Sequence, residues 1–307
     1  MSLESVTASV GLRGFARLIL AGFFALGLAF AAGNAHALTL SSHKDQLFAY
    51  PGILASKDGG AFMVVDYNEQ RDINKRDEVP ERRAKAKYVS LGVRRQQQDL
   101  ILKTPTGDIR HIAVGRLDRA KLIVIYLHGQ GGSRKQGVDD FTFGGNFNRI
   151  KNLAANNRGL YLSPDFSDFG EKGAEEIAAL IAHYAEKSPD ASVFVACGSM
   201  GGGLCWELAK RGGISSKLGG LLLLGSHWDD GFPSSTAFKR GVPVFIGHGS
   251  RDTVFDPARQ QAFYRSIREK SPGYPIRFVR FETGTHGTPI RMTDWRETLN
   301  WMLAQQR

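Results

Sequence analysis

Three residues of types that support nucleophilic catalysis follow apolar runs in the order serine, aspartate, histidine. They are Ser199, Asp252 and His286. A serine hydroxyl is a poor nucleophile unless a base, usually a histidine, takes its proton, and a carboxylate orients that base. If the three runs are parallel strands, these residues meet at one edge of a sheet. We therefore predict a triad with Ser199 as nucleophile, His286 as base and Asp252 as acid.

The sequence around Ser199, VFVACGSMGGG (residues 193–203), indicates a strand that ends abruptly and re-enters as a helix. The strand and helix backbones nearly touch at such a turn, so small residues must flank the serine. Cys197 and Gly201 occupy these flanks, two positions on either side of Ser199. The turn also places the serine at a helix N-terminus, where the helix dipole favours a developing anion.

This turn resembles the nucleophile elbow of the α/β-hydrolase superfamily, written G-x-S-x-G, with Cys197 in place of the first glycine. The superfamily presents its triad in the chain order Ser, Asp, His, each residue just after a strand. The resemblance covers roughly residues 98–305 and is to esterase-like and lipase-like serine hydrolases. The last third of the chain also resembles the catalytic domain of prolyl-oligopeptidase-like enzymes. The resemblance implies a serine hydrolase but leaves the substrate open.

The resemblance further implies an oxyanion hole built from two backbone N–H groups. Met200, directly after the serine, supplies one of them. The apolar run 121–127 leads into LHGQGGSRKQG (residues 127–137), which resembles the His-Gly oxyanion loop of the superfamily, so Gln130 supplies the other. His128 is then structural. A glycine-rich turn without a function is the alternative for this loop.

The acid of the triad has two candidate positions. Asp252 lies in a loop that resembles the usual acid loop, although the sequence SRD also suits a plain turn. Asp229 or Asp230, in GSHWDD after the preceding predicted strand, is the second candidate. His286 is the single histidine that follows Asp252 in the sequence, whereas His248 precedes Asp252 and is expected to brace its loop.

Apolar runs alternate with helical patterns along the chain. Strands separated by helices form a mostly parallel sheet that helices cover on both faces, and we predict an α/β fold of that kind. Residues 226–241 are too few for a lid, so we predict no large lid domain and an open pocket. The predicted strands are residues 98–103, 109–115, 121–127, 159–163, 192–197, 219–225, 242–247 and 276–281, and the predicted helices are residues 173–187, 257–269 and 293–305.

The N-terminal sequence has the pattern of an export signal. Arg13 and Arg17 precede an apolar run at residues 18–33, and NAHA follows, so cleavage is expected after Ala37. The run is short for a membrane-spanning helix, and an uncleaved anchor is the alternative. We predict an exported protein, periplasmic or secreted. The predicted parts are a signal peptide (1–37), an irregular segment that wraps the main domain (38–97) and an α/β-hydrolase domain (98–307).

The 307-residue chain carries a net charge of +10, and many basic residues lie within residues 71–95 with acidic residues among them. A solvated surface is the expected interpretation, with peripheral attraction to anionic surfaces as a further option. No nucleic-acid-binding motif is present, and we expect no nucleic-acid partner. For the two cysteines, Cys197 and Cys205, we predict buried free thiols. A disulfide, which export permits, is the alternative.

Together these features predict hydrolysis of a carboxylic ester through an acyl-enzyme, without a metal or cofactor. The substrate is expected to be an ester of a small molecule, a lipid or a polymer. A serine peptidase or an acyltransferase on the same fold, or a non-catalytic exported binding protein, is the alternative. Four aromatic residues are candidates to line the pocket: Phe141, Phe143, Phe147 and Trp228.

Overall fold

The computed structural model describes residues 38–105 and 107–306; the predicted signal peptide at residues 1–37 lies outside the described residues. The described residues form twelve strands and nine α-helices. The strands are β1 (Ile53–Lys57), β2 (Phe62–Val65), β3 (Asp77–Glu78), β4 (Arg83–Ala84), β5 (Gln97–Thr104), β6 (Gly107–Gly115), β7 (Leu122–Leu127), β8 (Leu160–Pro164), β9 (Ser192–Gly198), β10 (Leu218–Leu224), β11 (Val244–Gly249) and β12 (Ile276–Phe281). The helices are α1 (Asp45–Phe48), α2 (Asn146–Asn156), α3 (Glu171–Lys187), α4 (Gly202–Lys210), α5 (Gly212–Ser215), α6 (Thr236–Lys239), α7 (Pro257–Lys270), α8 (Thr288–Met292) and α9 (Trp295–Ala304).

Ten of these strands form one sheet in the order β1-β2-β12-β11-β10-β9-β7-β8-β6-β5. The pairs from β2 through β8 are parallel, and the pairs at the two edges are antiparallel. Every residue of β7 and β10 is buried, as expected for parallel strands with both faces covered. Separate hydrophobic cores lie on the two faces. The predicted α/β architecture is therefore confirmed, and each predicted strand is found with its ends within two residues.

The segment 38–97, for which we expected irregular structure, contributes two strands to the sheet. Strand β2 pairs in parallel with β12, and β1 extends the sheet beyond it. The Phe62 ring stacks on the Phe278 ring with centroids 5.4 Å apart, so this pairing is supported by buried aromatic contact. A four-residue strand shows too few alternations to be detected as a periodic pattern. The rest of the segment consists mainly of short helical turns.

No large lid separates β10 from β11, as the short connection predicted. Among the described residues, this connection contains only a helical turn at Phe232–Ser234 and the four-residue helix α6. The Phe232 side chain is buried against Trp206, with ring centroids 5.1 Å apart, and the Phe238 ring stacks on Tyr274 at 4.5 Å. These contacts attach the connection to the domain core.

The prediction of free cysteines is wrong, because Cys197 and Cys205 form a disulfide. We expected the helix to lie about 10 Å from the strand, the usual spacing of packed layers. The Cα atoms of the two cysteines are only 6.4 Å apart, within the range that a disulfide spans. The close approach is possible because Gly201 has no side chain; a Cβ there would lie 2.7 Å from the Leu127 carbonyl oxygen.

The helices within residues 38–105 and 107–306 include none with both the length and the apolar character needed to cross a bilayer.

Replacing both cysteines by alanine is expected to lower the free energy of unfolding by about 2–3 kcal/mol, because a tie across a short loop restricts the unfolded chain. Urea unfolding of the parent and of the double variant measures this difference. Thiol titration of the parent, denatured without reductant, should find no free thiol. Two free thiols per chain would contradict the disulfide.

Candidate active site

Ser199 lies at the sharp turn between β9 and α4. The strand ends at Gly198, a single helical turn covers Ser199–Gly201, and α4 begins at Gly202. The serine has a φ of 51°, in the left-handed region that costs a non-glycine residue roughly 1–2 kcal/mol. Its carbonyl oxygen accepts a hydrogen bond of 2.7 Å from the Ser226 hydroxyl. Strained backbone of this kind is concentrated at functional sites.

Glycines after the serine allow the helix to start against the sheet. A Cβ at Gly201 would lie 2.8 Å from the His128 carbonyl oxygen, and one at Gly202 would lie 1.8 Å from the Ser226 hydroxyl. Neither distance is tolerable between non-bonded atoms, so any side chain at these positions would push α4 away. The turn therefore requires glycine at positions 201 and 202 for steric reasons.

The structure brings the three predicted triad residues together in one hydrogen-bonded chain. The His286 Nε2 atom lies 2.8 Å from the Ser199 hydroxyl oxygen. The His286 Nδ1 atom lies 2.9 Å and 3.1 Å from the two carboxylate oxygens of Asp252. A carboxylate can only accept here, so Nδ1 carries the proton and Nε2 is left to accept the proton of the serine hydroxyl.

The alternative acids do not reach the histidine. The Asp229 carboxylate accepts from the Gly231 N–H at 2.8 Å and lies 3.3 Å from the Lys210 ammonium group. Asp230 is exposed to solvent. Of the candidate acids, Asp252 is the one that bonds His286.

Asp252 is buried, and its environment holds it ionised. Burial by itself would raise the pKa of the Asp252 carboxyl, but hydrogen bonds from His286 and from the N–H groups of Val254 and Phe255 lower it below its ordinary value. Those backbone bonds measure 2.8 Å and 3.1 Å. The carboxylate is therefore charged at neutral pH and oriented from two sides.

His248 contacts the loop that carries Asp252 and Phe255. It is fully buried, and its Nε2 atom donates to the Phe255 carbonyl oxygen at 3.0 Å and lies 3.4 Å from the Asp252 carboxylate. Burial lowers the pKa of His248, so the ring is neutral at neutral pH. His248 thus braces the acid loop, as its position before Asp252 suggested.

The loop after β7, predicted to supply the second oxyanion donor, passes directly over Ser199. A Cβ at Gly129 would lie 2.8 Å from the Ser199 Cβ, which explains the glycine. The next residue is Gln130, whose N–H donates to no acceptor among the described residues. His128 stacks on Phe166 at 4.3 Å and donates to the Gly129 carbonyl oxygen, which is a structural role.

Aromatic rings border the histidine. The Phe255 ring lies between His286 and His227, with centroid distances of 5.7 Å and 5.5 Å. Sequence reasoning missed Phe255, although its position three residues after Asp252 already places it in the acid loop. An edge atom of Phe143 lies 3.4 Å from where a Cβ would stand on Gly287, the residue after His286.

The other aromatic residues predicted to line the pocket pack in the core or against arginine side chains. Phe147 is fully buried in the core. The Arg83 guanidinium lies 4.3 Å from the centre of the Phe141 ring, and the Arg259 guanidinium lies 4.5 Å from the centre of Trp228. Of the four, Phe143 is therefore the one that lies beside Gly287, next to the candidate base His286. Within the described part of the chain, no group of three potential metal ligands is present.

Neither protein-family models nor curated proteins match this sequence. Solved structures do. One is an alpha-beta serine hydrolase homologue from Coxiella burnetii, with a TM-score of 0.51 and 17% identity, covering 66% of this chain and 95% of that chain. Another is a thermostable esterase, with a TM-score of 0.55 and 16% identity, and the match covers 70% of this chain and 64% of that chain.

A third similar structure is a feruloyl esterase module from Clostridium thermocellum complexed with sinapinate, with a TM-score of 0.55 and 13% identity, covering 73% of this chain and 94% of that chain. At these identities the likeness concerns the fold. The chain has the α/β-hydrolase fold, as the elbow around Ser199 and the chain order of the candidate triad predicted.

The depressed pKa of Asp252 makes a prediction for stability. A carboxyl whose pKa is lowered by folding stabilises the protein above its unfolded pKa of about 3.9 and loses that contribution as the pH falls through the folded pKa. Asp252→Asn should therefore lower the Tm at pH 7, and the difference from the parent should shrink below about pH 4. Thermal unfolding at a series of pH values measures both.

Asp230→Asn is the matched control, since Asp230 is exposed and bonds no described residue. It should leave the Tm near that of the parent at every pH. A constant Tm difference for Asp252→Asn across the series would contradict the assigned ionisation.

Proposed function

We propose that this chain is an exported serine hydrolase that cleaves a carboxylic ester through an acyl-enzyme intermediate. The observation that carries the proposal is the continuous hydrogen-bonded chain from the Ser199 hydroxyl through His286 to Asp252. The constellation of a nucleophile, a base within hydrogen-bond reach and a carboxylate that orients the base is what acyl transfer requires.

In the acylation step, His286 Nε2 takes the proton of the Ser199 hydroxyl while the oxygen attacks the ester carbonyl carbon. The carbonyl oxygen becomes an oxyanion and accepts hydrogen bonds from the N–H groups of Met200 and Gln130. When the tetrahedral intermediate collapses, the alcohol oxygen leaves with the proton from His286. Asp252 stabilises the positive charge that the imidazole carries between these two transfers.

In the deacylation step, water takes the place of the alcohol. His286 removes one proton from the water, and the hydroxide attacks the acyl carbon on Ser199. The second intermediate collapses with the serine oxygen as leaving group, which recovers its proton from His286 and releases the carboxylic acid. The same two N–H groups serve both intermediates.

An ester is the proposed substrate class, and the absence of a large lid among the described residues between β10 and β11 and the aromatic rings near His286 are compatible with it. The short connection between β10 and β11 is packed into the core, and we propose that esters of small molecules, lipids or polymers reach the site past it. Phe255 contacts His286 and Phe143 lies beside Gly287, and we propose that these rings offer apolar surface to an acyl or alcohol group. The esterases among the similar structures support this class by analogy.

Export is part of the proposal. The pattern of residues 1–37 is that of a cleavable signal. The Cys197–Cys205 disulfide adds support, because disulfides persist in the periplasm or outside the cell and are rare in the cytosol.

Ser199→Ala should abolish hydrolysis of p-nitrophenyl esters and leave the fold intact. His286→Ala should lose a comparable factor, on the order of 10⁴ or more in kcat, because members of a triad act as a unit. Asp252→Asn should lower kcat by about 10²–10⁴, because asparagine stabilises the wrong imidazole tautomer. Circular dichroism verifies that each variant is folded.

Asp229→Asn is the control for the acid assignment and should retain the parent kcat. Near-full activity of Asp252→Asn would overturn that assignment.

Activity assays and fluorophosphonate labelling also distinguish the alternative functions. Faster cleavage of peptide amides indicates a peptidase, and acyl transfer to added alcohol in preference to water indicates an acyltransferase. A Ser199 that resists a fluorophosphonate indicates a binding protein.

The exported protein should begin at Leu38, because signal peptidase is expected to cut after Ala37. N-terminal sequencing of protein recovered from the periplasm or the medium measures this. An N-terminus at Met1 would contradict a cleavable signal, and protein retained in the membrane with an intact leader would indicate the anchor.

A further inference from the structure

The disulfide closes a short loop that contains both the proposed nucleophile and one proposed oxyanion donor. Cys197 is the last but one residue of β9, and Cys205 lies in α4, eight positions along the chain. Ser199 and Met200 lie between them. Four of the seven intervening residues are glycines, the residue with the greatest backbone freedom. The disulfide therefore spans a glycine-rich segment, residues 198–204, whose backbone has little intrinsic rigidity.

This tie is not needed for packing alone. The position of Cys197 is a glycine in the G-x-S-x-G pattern, and any small residue lets the strand and helix approach. The cysteine side chain instead reaches across to α4 and bonds to it. Both cysteines are fully buried in the core, so neither sulfur contacts a substrate. Any effect of the disulfide on catalysis must pass through the backbone of the elbow.

The backbone at Ser199 has a strained conformation that needs such restraint. Its φ of 51° is unfavourable for a residue with a side chain, and the neighbouring glycines would allow it to relax. Among the described residues, the hydrogen bond from Ser226 is the one side-chain contact that holds the Ser199 carbonyl. That bond fixes the carbonyl oxygen, but it does not fix the distance between β9 and α4.

We propose that the Cys197–Cys205 disulfide is a positioning element that holds the Ser199 hydroxyl and the Met200 N–H in their reactive geometry. The inference rests on the proposed hydrolase function. Displacement of a reacting group by about 1 Å can cost a hundredfold in rate, so a smaller relaxation of the elbow should cost less. The disulfide should therefore affect kcat, while KM, which the aromatic borders influence, should stay unchanged.

The test compares Cys197→Ala, Cys205→Ala and the double variant with the parent, below the onset of thermal unfolding. We expect each variant to lower kcat for a p-nitrophenyl ester by about tenfold with KM unchanged. The two single losses should each equal the loss of the double variant, because every variant breaks the same bond. Additive single losses would show that the two side chains act independently and would overturn the proposal.

Leu299→Ala provides the matched control for lost stability. Leu299 is fully buried in α9 and packs in the core on the opposite face of the sheet from the two cysteines. Its truncation should lower the Tm to a similar degree but leave kcat at the parent value. If the double cysteine variant is folded and has the parent kcat, the disulfide contributes only to stability, and the proposal is overturned.

Amide hydrogen exchange tests the positioning without using activity. Peptides that cover residues 198–204 should exchange faster in the double cysteine variant than in the parent, and should be unchanged in Leu299→Ala. Unchanged exchange in both would also overturn the proposal. A parent protein that cleaves no ester and resists a fluorophosphonate would instead refute the proposed function, and the exchange result would still be interpretable.

Discussion

The close approach of helix α4 to the ends of strands β7 and β9 is the constraint on which the candidate site depends. The helix can start there because Gly201 and Gly202 leave room for the Leu127 carbonyl and the Ser226 hydroxyl. A methyl group at either position would displace α4. Ser199 would then lose the conformation that aims its hydroxyl at His286, and Cys205 would move out of reach of its partner.

The N-terminal segment supports a turn that lies near the candidate site. The Arg76 Nε atom, from residues 38–97, donates to the Gly144 carbonyl oxygen at 2.8 Å. Gly144 and Phe143 both have positive φ, so this turn needs an external partner to keep its form. The turn presents Phe143 to Gly287, next to the catalytic candidate His286. The segment that we expected merely to wrap the domain therefore holds a turn that contacts the residue after His286.

Much of the fold could be predicted because long buried strands and amphipathic helices have strong patterns. The same patterns placed Ser199, Asp252 and His286 at strand ends, and the parallel sheet brought them together. The two predictions that were wrong, of irregular structure around β2 and of free cysteines, concerned local features that depend on short segments or on exact distances. The four-residue strand β2 carries no periodic signal, and the disulfide of Cys197 depends on a helix-to-strand spacing that glycines reduce below its usual value.

The candidate triad is held by two different kinds of restraint, and this difference fits the proton transfers that the proposed mechanism requires. Steric contact and a covalent bond hold the elbow of Ser199, while hydrogen bonds from Val254, Phe255 and His286 hold Asp252. The His286 side chain, between them, is 29% exposed and bonds only through its two ring nitrogens to the described residues. A nucleophile and an acid must stay fixed, whereas the base must give up a proton first to one oxygen and then to another. His286 is thus held at its two ring nitrogens, the same two atoms through which its proposed role would accept and release a proton and be stabilised by the acid.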